Sequence, residues 1–343
     1  MGQAQGLPQL IPMKNAITDV PGIEVGQAQD LDALTGVTVI LCRKGAVAGV
    51  DQRGGAPGTR ETDLLNPINM VEKVHAIVLA GGSAFGLDSA GGVMKYLEEQ
   101  KIGFDVGVAR VPIVPAAILF DLGLGRADVR PDAQMGYRAA AAASVQAPAE
   151  GNVGAGTGAS VGKLFGNAGA MKSGLGTASI DIGGGIIVGA LVAVNAYGDV
   201  VDPQTGQIVA GTRSTRLGPL TLGSPDYFAD TLATMKTFAG RMIEGFAMRS
   251  NTVIGVVATN AKLTKPEASK MAQMAQDGLA RAIRPAHTML DGDTIFALST
   301  AQKSADVSLV GAFAAEAFTL ACLRAVRAAG SAGGLPGLAG QLA

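Results

Sequence analysis

The sequence has no tryptophan and contains only two cysteines and two histidines. The cysteines, Cys42 and Cys322, are too few for a disulfide framework or a cysteine-based zinc site, so we expect two buried thiols. The histidines, His75 and His287, have no partner at the spacing of metal ligands. We therefore predict a core or turn position for each histidine, no metal centre and no cofactor.

Charge is scarce as well, since charged residues make up 16% of the 343 residues and the formal net charge is −1. No long basic block is present, which argues against a nucleic-acid surface. No uninterrupted apolar run reaches the roughly 20 residues of a membrane span. Pro8 and Pro12 would break a signal helix near the start of the sequence. We therefore expect a cytoplasmic protein that binds neither nucleic acid nor a membrane.

The chain is instead rich in apolar residues, at 48%, and in glycine, with 49 residues. So large an apolar share beside so little charge predicts that other subunits cover part of the surface. The glycines cluster in short motifs, which indicates backbone that turns tightly or approaches another group closely. The length accommodates two average domains or one large α/β domain.

Residues 249–259, with the sequence RSNTVIGVVAT, form the most informative segment. Val253–Ala258 is an apolar, β-branched run typical of a buried strand, and Thr252 stands at its start. A threonine hydroxyl is a weak nucleophile unless a base lies beside it, and cleavage of the preceding bond would make its own α-amine that base. Such an amine has a pKa of about 7.7–8, so part of it is neutral at physiological pH. Thr252 is therefore a candidate nucleophile, although a turn before a core strand accounts for the same residues.

Two glycine-rich segments resemble nucleotide-binding loops, but their spacing does not fit. Residues 81–92 follow a predicted strand, His75–Ala80, and precede a predicted helix, Leu87–Glu99, yet they lack the glycine and acidic positions of a dinucleotide fingerprint. Residues 156–163 have the wrong interval for a phosphate loop and no following Ser or Thr. The first segment instead predicts helix amides that face a reaction site, and the second predicts a loop that delivers Lys163.

Further elements are predicted around these motifs. Gly36–Cys42 and Ala46–Val50 alternate as strands, and the Lys-Gly pair at 44–45 predicts a hairpin turn between them. Beyond the Thr252 strand, the patterns predict the order β, α, β, α. A capping box at Thr264–Glu267 opens the first of these helices, and a turn with two carboxylates precedes the second strand.

Five motifs stand in the order that they have in one protein family. In these motifs the chain resembles the L-aminopeptidase/D-esterases and β-peptidyl aminopeptidases, which include the 6-aminohexanoate-oligomer hydrolases, from residue 17 to about residue 329. The motifs are GGSAFGL at 81–87, GAG at 154–156 with Lys163, VAVN at 192–195, Asn251-Thr252, and Asp291-Gly292-Asp293.

The resemblance implies a fold and an architecture. The fold is the four-layer α/β/β/α sandwich, of class α/β (α+β), found in N-terminal nucleophile hydrolases, with a single catalytic domain over residues 1–343. The precursor is expected to cut itself into a large subunit, residues 1–251, and a small subunit, residues 252–343. Self-assembly into a tetramer of cleaved pairs is implied as well.

The resemblance also implies roles for individual residues. The bond between Asn251 and Thr252 is the self-cleavage bond, and Thr252 is the nucleophile. Asn195 is the amide donor to the developing oxyanion, and Lys163 is a nearby ammonium group. Asp291 and Asp293 are carboxylates that orient the new amine and the hydroxyl. On the substrate side of the site, the resemblance places Gly82, Ser83 and Phe85.

The function implied is an amide hydrolase that acts on small peptides, β-peptides or ω-amino-acid oligomers through a threonine acyl-enzyme. Thr252 and the Asp291-Gly292-Asp293 motif are closer to the oligomer-hydrolase branch, because peptidase members often have a serine nucleophile and a Ser-Gly-Glu segment. Three alternatives remain at this stage. They are an acyltransferase of the ornithine-acetyltransferase type, an aminopeptidase or esterase of stricter L-amino-acid specificity, and a binding protein with a decayed site.

Overall fold

A computed structural model of the chain describes residues 13–217, 220–222, 226–237 and 251–340. The strands are β1 (Glu24–Asp30), β2 (Thr35–Gln52), β3 (Thr59–Arg60), β4 (Lys73–Ala80), β5 (Phe104–Asp105), β6 (Arg110–Val111), β7 (Ala116–Ile118), β8 (Ser160–Val161), β9 (Met171–Lys172), β10 (Leu175–Asp181), β11 (Ile187–Asn195), β12 (Asp199–Val201), β13 (Ile208–Ala210), β14 (Thr215–Leu217), β15 (Leu220–Leu222), β16 (Thr252–Ala261), β17 (Ile283–Arg284) and β18 (Thr294–Lys303). The α-helices are α1 (Ser89–Glu99), α2 (Ala133–Ala141), α3 (Thr231–Met235), α4 (Lys265–Ala282) and α5 (Val307–Arg327).

Nine of these strands form one mixed sheet. The order is β10-β11-β16-β18-β2-β4-β7-β3, and β1 also pairs with β2. The pairs β16–β18 and β4–β7 are parallel, and the other neighbours are antiparallel. Strand β2 links the two halves of this sheet, because its residues 35–41 pair with β1 and its residues 47–52 pair with β18.

The predicted hairpin at residues 44–45 is wrong, because both residues lie inside the 18-residue strand β2. The pairing between β2 and β4 shifts register between Leu41 and Ala46. Gly45 lies in this interval with a φ of 75°, a value that glycine adopts without steric cost. An irregularity of this kind bends a strand without ending it, so a single strand serves both halves of the sheet.

Three buried apolar clusters show how the layers stack. Ile40 and Ile77 from one half of the sheet share a central cluster with Val256 and Phe296 from the other half. Helices α1 and α2 cover the outer face of the first half, and helices α4 and α5 cover the outer face of the second. The predicted four-layer α/β/β/α arrangement is thus confirmed, with the two β layers formed by one continuous sheet.

Strand β16 is buried along its whole length, as its apolar sequence predicts. Val253 and Val257 belong to the cluster under helices α4 and α5. The residues between them, Ile254 and Val256, belong to the central cluster between the β layers. Because side chains alternate across a strand, Thr252 shares the face of Ile254 and is directed between the two β layers.

The two long helices after β16 occur where the sequence predicts them. Helix α4 begins with the capping box, in which Thr264 and Glu267 satisfy each other's backbone N–H groups. Helix α5, Val307–Arg327, is long and apolar enough to cross a membrane, but 67% of its most apolar window is buried within the fold. Its burial against α4 and β11 is what a core helix of a folded domain shows.

The close packing of α4 on α5 supplies a stability test. A Cβ atom at Gly278 would lie 2.1 Å from the carbonyl oxygen of Ala315. We expect Gly278→Ala to push the helices apart and to lower the free energy of unfolding by about 1–3 kcal/mol, measured by urea denaturation. In α1, a Cβ atom at Gly91 would meet nothing within 4 Å. Gly91→Ala is the matched control and is expected to be neutral or stabilising. Equal losses in both variants would contradict the packing argument.

Candidate active site

Thr252 lies at the point where two buried strands meet. It is the first residue of β16, and its backbone pairs with Asn195, the last residue of β11. Asn195 lies on the same face of β11 as Leu191 and Ala193, which belong to the central cluster. Both residues are buried, at 4% exposure for Thr252 and 0% for Asn195. The structure therefore brings the predicted nucleophile and the predicted amide together at the end of the space between the β layers.

Lys163 is the next predicted residue that the structure places here. Its Nζ donates to Oδ1 of Asn195 at 2.6 Å and to the backbone oxygen of Asn195 at 3.2 Å. The same Oδ1 accepts the N–H of Ser160 at 3.1 Å, and Nδ2 of Asn195 donates to the oxygen of Phe120 at 3.0 Å. These bonds turn the amide oxygen of Asn195 toward the lysine and the amide nitrogen toward residue 120.

Burial changes the acid–base behaviour of Lys163. Removal from water lowers the pKa of its ammonium group to about 7, while the carboxylates of Asp291 and Asp121 act in the opposite direction. A second buried lysine, Lys172, adds a repulsive charge that lowers the pKa further. The charged form of Lys163 therefore depends on the carboxylates near it.

The peptide bond between Asn251 and Thr252 has two donors on its carbonyl oxygen. The Oγ of Thr252 makes a short contact with the oxygen of Asn251, and the N–H of Gly292 donates to the same oxygen at 3.0 Å. Position 292 has no room for a side chain. A Cβ atom there would lie 2.6 Å from the oxygen of Ala56 and 2.8 Å from the Oγ of Thr252.

Asp293 is held by three donors. Its Oδ1 accepts the N–H of Val253 at 2.8 Å, and its Oδ2 accepts the backbone N–H of His287 at 3.0 Å. The Nδ1 of His287 lies 2.9 Å from the same Oδ2. The carboxylate thus contacts the residue that follows the predicted nucleophile.

Asp291 has its own partner in Thr288. Its Oδ2 accepts the backbone N–H of Thr288 at 2.9 Å and the hydroxyl at 2.6 Å. Burial, together with repulsion by Asp293, raises the pKa of Asp291 to about 6. The charge of Lys163 acts against this rise, which places the two groups within electrostatic reach of each other.

The glycine turn after β4 reaches the site indirectly. The N–H of Gly82 donates to Oδ1 of Asp121 at 2.7 Å, so the amide that was predicted to face a reaction site is paired with a carboxylate. Phe85 is 53% exposed, and the guanidinium group of Arg130 lies 3.8 Å from the centre of its ring. Within the described ranges, no hydrogen bond joins Gly82, Ser83 or Phe85 to Thr252. Their predicted substrate contacts remain a prediction.

A small pocket of about 20 Å³, room for about one water molecule, reaches Lys163 beside this turn. Burial raises the pKa of Asp121, which lines the pocket, to about 6, although Gly82 and Thr35 donate to its carboxylate. No sequence pattern indicates Asp121, because its partners Thr35 and Gly82 come from two distant segments. The pocket is lined by Phe120, Asp121, Gly123, Leu124, Gly158, Ser160, Lys163 and Asn167.

Known proteins match nearly the whole chain. The profile of peptidase family S58 matches residues 15–338. An uncharacterized aminopeptidase of Mycobacterium tuberculosis is 44% identical over 345 aligned positions, which cover 94% of this chain and 96% of that protein. A 6-aminohexanoate-oligomer endohydrolase of Kocuria sp. is 33% identical over 285 positions, which cover 82% of this chain and 74% of that protein.

Solved structures agree with this similarity. A Burkholderia sp. beta-aminopeptidase gives a TM-score of 0.65 at 26% identity, over 95% of this chain and 91% of that one. The L-aminopeptidase D-Ala-esterase/amidase of Ochrobactrum anthropi gives a TM-score of 0.67 at 21% identity, over 92% of this chain and 86% of that one. The latter has a variant of the N-terminal nucleophile hydrolase fold, so the predicted fold is confirmed. On the match over residues 15–338 and the 44% identity to one relative, we conclude that the chain is an amide hydrolase and belongs to peptidase family S58.

Proposed function

We propose that the chain cuts itself between Asn251 and Thr252, and that the new N-terminal threonine then hydrolyses amide bonds. The observation that carries this proposal is the pair of donors, the Oγ of Thr252 and the N–H of Gly292, on the carbonyl oxygen of Asn251. A nucleophile beside the carbonyl and a backbone donor on its oxygen are the two requirements of an acyl shift. The products are a large subunit, residues 1–251, and a small subunit, residues 252–343.

In the proposed reaction, self-cleavage uses these contacts. The Oγ of Thr252 attacks the carbonyl carbon of Asn251, and the N–H of Gly292 stabilises the negative oxygen of the tetrahedral intermediate. The C–N bond breaks, the nitrogen of Thr252 receives the hydroxyl proton, and an ester joins the two pieces. Water then hydrolyses the ester, which leaves a carboxylate on Asn251 and a free α-amine on Thr252.

Hydrolysis of a substrate uses the groups released by this cut. The α-amine of Thr252 accepts the proton of its own hydroxyl, and Oγ attacks the substrate carbonyl to form an acyl-enzyme. The amine product leaves with the proton, and water hydrolyses the ester. We assign to the charge of Lys163 the role of opposing protonation of the α-amine, and to Asn195 the role of holding the oxyanion and the lysine. Asp291 and Asp293 orient the amine and hydroxyl.

Similarity supports a class of substrate. The names of the Kocuria endohydrolase and the Burkholderia beta-aminopeptidase support ω-amino-acid oligomers and β-peptides. The name of the Mycobacterium relative, an uncharacterized aminopeptidase, supports peptides. We therefore assign small peptides, β-peptides and ω-amino-acid oligomers as the substrates, with Gly82, Ser83 and Phe85 on the substrate side.

We also infer an assembly of cleaved pairs, as a tetramer, and a cytoplasmic location. Val108 and Ile68 are 95% and 87% exposed, and burial of such side chains in subunit contacts would remove apolar surface from water. Both cysteines, Cys42 and Cys322, are buried free thiols, as is usual in a reducing compartment.

Replacement of the nucleophile tests self-cleavage and activity together. The wild type is expected to run as two fragments on a denaturing gel, with Thr252 as the first residue of the small fragment by N-terminal sequencing. Thr252→Ala is expected to stay as one chain without amidase activity, because no Oγ is left to attack. Thr252→Ser keeps a hydroxyl and is the control that should still be cut. An intact wild-type chain that hydrolyses aminohexanoate oligomers or amino-acid anilides would contradict the proposal.

The Gly292 donor is tested by Gly292→Ala. The added methyl group would lie within 3 Å of both Ala56 and the Oγ of Thr252, so the N–H must move away from the carbonyl of Asn251. We expect self-cleavage to slow by about 100-fold or more, since loss of one oxyanion donor typically costs that much. The rate is measured from the disappearance of the full-length band after refolding. Gly91→Ala, in the open position on α1, should be cut at the wild-type rate, and equal rates for both variants would refute the assignment.

A further inference from the structure

We propose that His287 is a positioning residue for the nucleophile and that it acts through Asp293. This inference rests on the proposed function of Thr252. The sequence predicts only a core or turn position for His287, and the structure places it in the loop between β17 and β18. Its two donors and its backbone conformation indicate a further role.

His287 binds the Asp293 carboxylate with both its backbone and its ring. The backbone N–H donates to Oδ2 at 3.0 Å, and the ring Nδ1 lies 2.9 Å from the same oxygen. We assign the proton of the ring contact to Nδ1, the tautomer in which the ring donates to the carboxylate. Within the described ranges, His287 is the only side chain that donates to Asp293.

The other oxygen of Asp293 carries this constraint to the nucleophile. Oδ1 accepts the N–H of Val253 at 2.8 Å, and Val253 directly follows Thr252. With Oδ2 held by His287 and Oδ1 held by Val253, the carboxylate has a fixed plane and the first residues of β16 have a fixed position. A reactive group displaced by about 1 Å loses roughly 100-fold in rate, so a support of this kind matters for catalysis.

His287 has a backbone conformation that is unfavourable for most residues. His287 has a φ of 58°, in the left-handed region that non-glycine residues rarely adopt. Such a conformation persists where surrounding contacts enforce it, and here the contacts with Asp293 do so. The rest of the loop is tied down separately, because the N–H groups of Gly55 and Ala56 bind the oxygens of Thr288 and Asp291. Bonds outside the His287 ring therefore also hold this loop.

His287 and Thr288 each hold one of the two carboxylates, Asp293 and Asp291 respectively. Thr288 donates twice to Asp291, and His287 donates twice to Asp293. The ring Nε2 of His287 is buried and has no hydrogen-bond partner among the described residues. The contact with Asp293 is thus the polar contact that orients this ring.

The test compares self-cleavage and turnover in His287→Ala and His287→Asn. We expect His287→Ala to slow self-cleavage and to lower kcat by about 10- to 100-fold, because a misplacement of about 1 Å at the reacting group can cost roughly 100-fold. KM should change by less than about twofold, because His287 is not assigned to substrate contact. Asn presents an N–H near the position of Nδ1, so His287→Asn should recover most of both rates. His75→Asn is the matched control, since the other histidine lies in β4 and binds the N–H of Ile113.

Each outcome decides between the two proposals. A wild-type chain that is never cut refutes the proposed function and leaves nothing for His287 to position. A wild type that is cut, beside a His287→Ala variant cut and active at the same rates, refutes the role of His287 alone. Equal slowing in the Ala and Asn variants also refutes it, because the donor would then be irrelevant. Should His287→Ala not fold, the isosteric pair His287→Asn and His287→Asp decides, since only Asn has a donor; equal rates in this pair refute the inference.

Discussion

The arrangement of the site depends on one backbone register, the pairing of Thr252 with Asn195 at the ends of β16 and β11. A strand that slipped by one residue would turn the hydroxyl away from the space between the β layers. The register is secured because β16 is buried on both faces, so a slip would misplace every one of its side chains in the packed cores on either side. The core thereby sets the position of a single hydroxyl group.

The charges near Thr252 are buried, and each is stabilised by specific partners. Lys163 binds two oxygens of Asn195, Asp293 accepts three hydrogen bonds, and Asp291 accepts two from Thr288. Burial of an unpaired charge would cost several kcal/mol, whereas paired groups in a dry site interact more strongly than in water. The raised pKa of Asp291 and the lowered pKa of Lys163 show that burial still dominates at both groups.

Local patterns predicted the parts of the fold that depend on neighbouring residues. The buried strand after Thr252 and the capping box at Thr264 are confirmed. Both features depend on residues that are only a few positions apart in the sequence. Some residues of the family motifs lie together in the fold, since Asn195 pairs with Thr252 and Lys163 binds Asn195, while their catalytic roles stay a prediction. The predicted turn at Gly45 was wrong. A glycine indicates a bend in the chain but does not show whether strand pairing continues beyond the bend. His287 and Asp121 were missed because their partners are determined by the folded loops and not by spacing.

The position of β16 and β18 in the sheet has a consequence for a chain cut at residue 251. Both strands come after the cut, yet they lie side by side between β11 and β2, which come before it. The two products would therefore be interleaved, with the smaller one held by backbone pairing along both of its flanks. Separation would require the β11–β16 and β18–β2 ladders and the short β12–β17 pairing to open, so the break would release a chain terminus without releasing a subunit.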